Sequence, residues 1–174
     1  LTVVGTRQGQ SLLFPMEKVY EQYVGMGLRE WIPAGAKLTL QAGRHHLAKH
    51  RDQSWFQLRP DFLIDYDGQT LVADAKWKLI DEALDNGEQK YGLSQTDFYQ
   101  LYAYGQKYLN GAGILYLFYP RTSRFGTPLP PFQFTEQMQL IVAPFDLELG
   151  RPVADLLTRS SVDGNRPSPP YLSA

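Results

Sequence analysis

The spacing of the apolar residues predicts two helices. From residue 15 to about residue 29, apolar side chains recur at intervals of three and four, and Pro15 suits the first turn of a helix. The second predicted helix begins at Ser94 or Thr96, either of which suits an N-cap, and ends near residue 109. Its predicted buried side carries Phe98, Leu101, Tyr102 and Leu109.

Strands are predicted where apolar residues alternate with polar ones or run without interruption. These stretches are residues 37–41, 55–66, 70–77, 113–119 and 139–145. A helix, several strands, a second helix and two further strands, in that order, are typical of an α/β fold with a mixed β-sheet and flanking helices.

The remaining segments are predicted to be connections and chain ends. Residues 43–52 are polar and basic, and residues 79–93 contain turn-forming residues, so we expect a basic loop and a loop with one helical turn. A short closing helix is predicted over residues 152–159. We predict one domain over residues 1–159 and a flexible C-terminal tail over residues 160–174, which holds three prolines.

Composition narrows the class of protein. Of the 174 residues, 43% are hydrophobic and 13% are aromatic, as in a globular domain with a substantial core. No apolar run has the length of a membrane span, and no secretory signal is recognisable. The absence of cysteine excludes disulfides and thiolate metal ligands. These features favour a cytoplasmic protein that does not enter a membrane.

Charge is distributed unevenly, although the net charge is only −1. Residues 61–97 hold nine acidic residues against three lysines, whereas residues 29–59 are basic. A basic segment beside an acidic one fits phosphate binding at the rim of a site and metal binding at its centre, and an ordinary solvated loop is the alternative. The candidate phosphate contacts are Arg44, Lys49, Arg51 and Arg59.

One hairpin can be predicted residue by residue. Asp67-Gly68 lies between two stretches of alternating apolar residues, which is the strongest short-range signal for a two-residue turn. Counting outward from the turn places Asp61 opposite Asp74. Because side chains alternate along a strand, Lys76 shares the face of these two carboxylates. The other face is predicted to be core and carries Phe62, Ile64, Tyr66, Leu71, Ala73 and Ala75.

The two opposed carboxylates need a positive charge between them. Directly paired residues have Cβ atoms roughly 4.5–5.5 Å apart, and like charges at that distance destabilise the strand pair. A hard divalent cation with oxygen ligands would neutralise them. The alternative is that Lys76 alone offsets part of the repulsion, which would make the group a surface salt-bridge patch of little energetic weight.

The same residues resemble a known family. Pro60-Asp61, a spacer of twelve residues and then Asp74-Ala75-Lys76 is similar to the motif of the PD-(D/E)xK nucleases. Residues 14–21 (FPMEKVYE) resemble the first helix of these enzymes, residues 100–104 (QLYAY) their QxxxY helix, and residues 114–120 (ILYLFYP) the strand that follows. The resemblance covers about residues 12–145. It is greatest to the C-terminal nuclease domain of the McrC family, whose partner is a GTP-driven motor in modification-dependent restriction.

This resemblance implies a restriction-endonuclease-like core and a metal-dependent DNA endonuclease that uses Mg²⁺ or Mn²⁺ to hydrolyse phosphodiester bonds. It implies that Asp61, Asp74 and Glu17 bind the metal together with the backbone carbonyl of Ala75. Lys76 would orient or help deprotonate the attacking water, or stabilise charge on the phosphate. An acid in the first turn of a helix also favours the helix dipole, which is the alternative role of Glu17.

Further residues and partners follow from the same resemblance. Gln100 and Tyr104 are expected to contact DNA or position Lys76, although Tyr104 could instead be a core aromatic, and Lys78 is expected to touch phosphate. The implied partners are DNA and an AAA+ GTPase motor subunit of the McrB type, with dimerisation when both strands are cut. Nothing in the chain resembles a motor-docking region, so we interpret it as the nuclease domain alone.

Two other functions stay open at this level. One is a nuclease of the same superfamily that acts on branched or single-stranded DNA in repair or recombination. The other is a catalytically inactive module that binds DNA or a partner, in which the acidic residues are a remnant.

Overall fold

The computed structural model describes residues 15–153. This part of the chain contains two helices, α1 (Met16–Trp31) and α2 (Gln95–Tyr108), and a short 3₁₀ turn (Lys90–Gly92) before α2. The strands in chain order are β1 (Lys37–Leu40), β2 (His45–His50), β3 (Gln53–Leu58), β4 (Phe62–Tyr66), β5 (Gln69–Ala75), β6 (Gly113–Pro120), β7 (Phe132–Thr135), β8 (Met138–Asp146) and β9 (Arg151–Pro152).

Seven of these strands form one mixed sheet in the order β1-β4-β5-β6-β8-β7, with β9 paired to β8. Strands β4 and β5 are antiparallel, whereas β6 runs parallel to both β5 and β8. Parallel neighbours need a crossover connection, and α2 lies in the one between β5 and β6. The predicted α/β fold with a mixed sheet and flanking helices is confirmed, and it is consistent with a restriction-endonuclease-like core.

The β4–β5 hairpin has the predicted register, in which Tyr66 pairs with Gln69 and Phe62 with Ala73. Asp67 and Gly68 have φ angles of 49° and 73°. Positive φ at both central residues defines a type I′ turn, whose twist matches that of the flanking strands. The turn chemistry therefore fixes which residues meet at the open end, where Asp61 lies one step beyond the Phe62–Ala73 pair.

Both faces of the sheet are buried. Tyr20, Val24 and Leu28 of α1 pack against the face that includes Phe62 and Ala73. Leu101 and Tyr104 of α2 belong to a second buried cluster, which includes Leu63 and Val72 on the opposite face. The hairpin face that carries the carboxylates is therefore a core face as well, so the acids enter a largely apolar environment.

Three segments of the chain differ from the prediction. Residues 43–52 are not a loop, because β2 and β3 form a separate two-stranded sheet. The residues of β2 are mostly polar and exposed, so no buried face imposes an alternating pattern on them. The predicted strand over residues 55–66 is two strands that break at Arg59-Pro60, and β7 was not predicted at all.

The prediction can also be compared with the structure at α2 and toward the two ends of the chain. The predicted span of α2 is confirmed, but Tyr102 is 43% exposed and Tyr104, at 2%, takes its place in the core. Pro152 lies in β9 and not in a helix. Residues 1–14 and 154–174 lie outside the described residues, and with them most of the predicted closing helix and the predicted tail. Neither α1 nor α2 combines the length and the apolar character needed to cross a bilayer.

Candidate active site

Asp61 is held at the open end of the hairpin by two donors. Its Oδ2 accepts a hydrogen bond from the backbone N–H of Ala75 at 2.9 Å, and its Oδ1 accepts one from Gln41 Nε2 at 2.8 Å. The backbone N–H of Gln41 also donates to the carbonyl oxygen of Asp61 at 2.9 Å. The residue that follows β1 therefore positions both the backbone and the carboxyl group of Asp61.

Asp74 lies near the end of β5 and is 1% exposed. Its Oδ2 is 2.5 Å from the Nζ of Lys76. That oxygen nevertheless accepts no hydrogen bond of good geometry, so the contact is an ion pair without an aligned donor. Lys76 and hydrogen bonding to Asp61 stabilise the charged form of Asp74, but Oδ2 itself has no aligned donor, and a buried carboxylate is costly unless it is paired and hydrogen-bonded.

Burial raises the pKa values of both carboxyl groups, and repulsion by Asp74 adds to this effect at Asp61. At Asp61 desolvation is the largest cause and the charge of Asp74 the second, and the pKa reaches about 8 despite the hydrogen bond from Ala75. Burial also raises the pKa of Asp74, against the attraction of Lys76. Burial would lower the pKa of Lys76, but the charges of Asp74 and Asp61 outweigh it and raise that pKa. One amine thus compensates two carboxylates incompletely, which favours a further cation.

A chain of hydrogen bonds joins Lys76 to α2. Lys76 Nζ donates to Gln100 Oε1 at 3.3 Å, and Gln100 Nε2 donates to the hydroxyl oxygen of Tyr104 at 2.6 Å. The Tyr104 hydroxyl in turn donates to the carbonyl oxygen of Arg59 at 3.0 Å. The burial of Tyr104 raises its pKa, so it stays a neutral donor. Gln100 and Tyr104 are therefore placed to position Lys76, and Tyr104 is a core aromatic at the same time.

The glutamate nearest the carboxylates is Glu21, one helical turn after Glu17. Gln41 Nε2 donates to Glu21 Oε1 at 2.5 Å as well as to Asp61, and the charge of Glu21 contributes to the raised pKa of Asp61. Glu17 is exposed in the first turn of α1. The structure therefore favours Glu21 as the glutamate of the site, and a metal-binding role for Glu17 stays a prediction.

We define Glu21, Asp61 and Asp74 as the acid cluster, and the residues predicted to contact phosphate lie in two other parts of the chain. Arg44, Lys49 and Arg51 are exposed on or beside the β2–β3 sheet, and Arg59 Nη2 donates to Gln57 Oε1 at 2.8 Å at its base. Lys78 Nζ donates to the carbonyl oxygen of Gly92 at 2.5 Å, so it holds the 79–93 connection. Arg44 lies over the ring of Tyr108 in α2, with its Cζ 5.9 Å from the ring centroid, whereas Arg51 lies in the turn between β2 and β3.

The chemistry of the donor set suits a hard divalent ion. Within residues 15–153, no three or more His, Cys, Asp or Glu side chains have the arrangement of a metal site by themselves. Mg²⁺ is usually held by only one or two carboxylates, with water and substrate phosphate oxygens completing its octahedron. Asp61 and Asp74 supply those two carboxylates, and the unsatisfied Asp74 Oδ2 is the oxygen most in need of a partner.

Comparison with known proteins identifies the family. The model of the McrBC 5-methylcytosine restriction system component matches residues 2–120, which is more than half of the chain. The chain belongs to the McrBC family. No curated protein matches it.

The residues matched by the McrBC model include the acid cluster, Lys76, Gln100 and Tyr104. Strands β7, β8 and β9 lie after the matched residues. The fold is also similar to a chain of the refined half-complex from a tetradecameric assembly of Thermococcus gammatolerans McrB AAA+ hexamers with bound McrC. The TM-score is 0.57 at 16% identity, and the match covers 78% of this chain and 29% of that one. This McrBC-family chain therefore spans less than a third of the length of that neighbour.

Two residues of the candidate site were not predicted from sequence. Glu21 lies beside Tyr20 at the border of the buried face of α1, four residues after Glu17, so the helical spacing could have offered it as an equal candidate. Gln41 had no such signal, because its role depends on the antiparallel pairing of β1 with β4. That pairing joins segments far apart in sequence.

Proposed function

We propose that this member of the McrBC family is a metal-dependent DNA endonuclease of the PD-(D/E)xK type that hydrolyses phosphodiester bonds. The observation that carries the proposal is the convergence of Asp61, Asp74 and Lys76, with both carboxyl pKa values raised and an unsatisfied buried oxygen on Asp74. Such an arrangement is unfavourable for stability alone, and perturbed acids of this kind cluster at functional sites.

Each residue of the site has a role in this proposal. Asp61 and Asp74 would hold Mg²⁺ or Mn²⁺, with Glu21 or Glu17 acting through coordinated water and the carbonyl of Ala75 as a further ligand. When bound, the ion supplies Lewis acidity that polarises the phosphate and lowers the pKa of water.

The amine and the residues behind it act on the other side of the reacting phosphate. Lys76 would orient the attacking water or stabilise the charge that develops on phosphate oxygens, since its raised pKa keeps it protonated at neutral pH. Gln100 restrains the Lys76 amine, and Tyr104 restrains Gln100. Lys78 would reach phosphate only after releasing the carbonyl of Gly92.

The partners proposed for this chain are DNA and an AAA+ GTPase motor of the McrB type. Family membership supports them, and the fold neighbour is part of a complex described as McrB AAA+ hexamers with bound McrC. Methylated DNA in the cytoplasm would be the target, with two copies cooperating when both strands are cut. The chain would act as the nuclease module, and the motor would supply target recognition.

The test combines cleavage with metal binding. Supercoiled plasmid, methylated or unmethylated, is incubated with the protein and Mg²⁺ or Mn²⁺, with and without the motor subunit, and calorimetry measures Mn²⁺ binding. We expect Asp74→Asn to lose both cleavage and Mn²⁺ binding while its circular dichroism stays that of the wild type. Retained cleavage by a pure Asp74→Asn protein contradicts the proposal, and Mn²⁺ binding that Asp74→Asn does not weaken would indicate an inactive remnant.

A further inference from the structure

The β2–β3 sheet is a two-stranded ribbon that stands apart from the main sheet. All of its residues except His46 and Leu58 are exposed. The exposed fractions include 49% for Leu47, 45% for Trp55 and 67% for Phe56. A two-stranded sheet is only marginally stable in water, and large apolar side chains exposed together mark interaction surfaces. The ribbon therefore has the character of a surface that a partner covers.

Tyrosines of α2 fix the base of the ribbon. The Tyr108 hydroxyl lies 2.5 Å from the carbonyl oxygen of Ala42 and 2.9 Å from that of Leu58, and its ring meets the edge of His45 at a centroid distance of 4.6 Å. The Tyr104 hydroxyl donates to the carbonyl of Arg59, directly after β3. Since Tyr104 also contacts Gln100, which accepts a hydrogen bond from Lys76, one helix holds both the ribbon and Lys76.

The surface between the ribbon and α2 is strongly basic. A groove of about 380 Å³ is lined by Arg44, Lys49 and Lys107 together with two histidines, Leu47, Ala48 and Ser54. Residues 44–59 contain Asp52 as their one acid. The ion pairs found within residues 15–153 involve none of these three cations. Uncompensated cations along a groove attract a polyanion, and their contacts are made at the expense of condensed counterions.

Phe56 is held toward solvent by an unusual backbone. Its φ is 58°, in the left-handed region, which is an outlier for a bulky residue inside a strand. Such strain persists only where the surrounding structure maintains it, and it often marks a contact with a ligand. An exposed aromatic ring on the same ribbon as a basic groove offers an apolar contact to bases and sugars in addition to the phosphate contacts.

We propose that the β2–β3 ribbon and its groove bind double-stranded DNA beside the cleavage site. Arg44, Lys49 and Lys107 contact phosphates, and Phe56 contacts the groove of the duplex. This inference rests on the proposed nuclease function, because the bound DNA is its substrate. The choice of a duplex follows from the shape of the element, since the major groove admits a two-stranded ribbon.

The experiment measures DNA binding without cleavage. Fluorescence anisotropy of a labelled duplex is followed in EDTA over a range of salt concentrations, with the whole chain. Lys49→Gln combined with Lys107→Gln is compared with Arg29→Gln combined with Arg151→Gln, which removes two exposed cations beside α1 on the opposite side of the sheet. Phe56→Ser is measured separately, and thermal melting checks that each variant folds.

We expect the ribbon double variant to bind roughly tenfold more weakly, with the slope of log affinity against log salt reduced by about 2. The control double variant should bind like the wild type, and Phe56→Ser should weaken binding with an unchanged slope. A ribbon double variant with wild-type affinity and slope overturns the inference, as does a single strand that competes better than the duplex of the same sequence.

The same measurements separate this inference from the proposed function. If the wild-type protein cleaves DNA and the ribbon variants bind and cleave equally well, the DNA-binding role of the ribbon is contradicted and the nuclease function is not. Ribbon variants that lose duplex binding in a protein that neither cleaves nor binds Mn²⁺ support the ribbon and contradict the nuclease assignment.

Discussion

Asp74 and Asp146 are two buried aspartates near the C-terminal ends of strands that flank β6, yet their surroundings are opposite. Asp146 is 6% exposed, and its Oδ1 accepts hydrogen bonds from the backbone N–H groups of Glu148 and Leu149, each at 2.9 Å. Its Oδ2 pairs with Arg121 Nη1 at 2.5 Å. These donors lower the pKa of Asp146, with the N–H of Leu149 as the largest cause.

Asp74, at 1% exposure, has Lys76 as a poorly aligned counter-charge and a second carboxylate beside it, so burial raises its pKa. The comparison shows that burial alone does not identify a functional acid. Asp146 is satisfied by its own turn, which makes it a structural cap of β8. Asp61 accepts two hydrogen bonds, but burial and the charge of Asp74 still raise its pKa, and Asp74 keeps a buried oxygen that no aligned donor satisfies, which makes the pair candidates for chemistry.

The sharpest way to break this comparison is to neutralise each aspartate. We expect Asp74→Asn to reduce cleavage by roughly 10³-fold or more, because the ion would lose a ligand and the transition state its charge stabilisation. Stability should not fall, since the substitution removes a poorly satisfied charge. Asp146→Asn should keep cleavage and lower Tm by several degrees. Plasmid cleavage and thermal melting of both variants measure this double dissociation, and equal losses of Tm would contradict it.

The part of the site that lies within the β4–β5 hairpin can be predicted from sequence, whereas its contacts with β1 and α1 cannot. Asp67-Gly68 dictates a type I′ turn, and period-two counting from it places Asp61 against Asp74 with Lys76 alongside. The side of α1 that faces the acids and the donor Gln41 depend on how β1 and α1 meet the hairpin, which no local pattern encodes.

The ribbon and the structural acid show the same limit. The polar residues of β2 do not alternate, because neither face is buried, so its pairing with β3 leaves no periodic signal. Asp146 was not singled out, although an aspartate that accepts N–H groups two and three residues later is typical of a turn after a strand. Its distinction from Asp74 requires the donors to be seen in three dimensions.

Lys76 provides the next test, because it separates charge compensation from metal binding. Lys76→Gln removes the amine that lies 2.5 Å from Asp74. We expect cleavage to fall roughly 10²- to 10³-fold, as when one stabilising donor is removed from an active site. Mn²⁺ binding should be as tight as in the wild type or tighter, since a competing positive charge is gone.

Calorimetry and single-turnover cleavage of Lys76→Gln check this prediction. Lys78→Gln is the control, because its amine contacts the carbonyl of Gly92 and not the carboxylates. Loss of Mn²⁺ binding in Lys76→Gln would mean that the lysine is needed to assemble the acids.

Asp61 and Asp146 should also give opposite pH dependences of stability in the metal-free protein. Asp61 has a raised pKa of about 8, so the folded state binds its proton more tightly than the unfolded chain, and this stabilisation is lost as pH rises toward 8. Asp146 has a lowered pKa, so its contribution is present at neutral pH and is lost as pH falls through that pKa.

Urea denaturation between about pH 2 and pH 9 measures both effects. Asp61→Asn should flatten the decline on the alkaline side, and Asp146→Asn should flatten the decline on the acid side. Added Mn²⁺ should restore the alkaline stability of the wild type but not that of Asp61→Asn. An alkaline decline of wild-type size in Asp61→Asn would contradict the assignment.

The smallest expected effect concerns the hydrogen bonds that connect Lys76 through Gln100 to Tyr104. Tyr104→Phe removes the hydroxyl that joins Gln100 to the carbonyl of Arg59, and Tyr108→Phe removes a similar hydroxyl that contacts only the base of the ribbon. Because each deletes a hydrogen bond to a carbonyl group, both should cost about 1 kcal/mol of stability. Only Tyr104→Phe should slow cleavage, by a few-fold at saturating DNA, because only Tyr104 restrains the partner of Lys76. Equal rates in the two variants would show that the lysine is positioned by Asp74 alone, and the asymmetry between the two aspartates would then be confined to their immediate contacts.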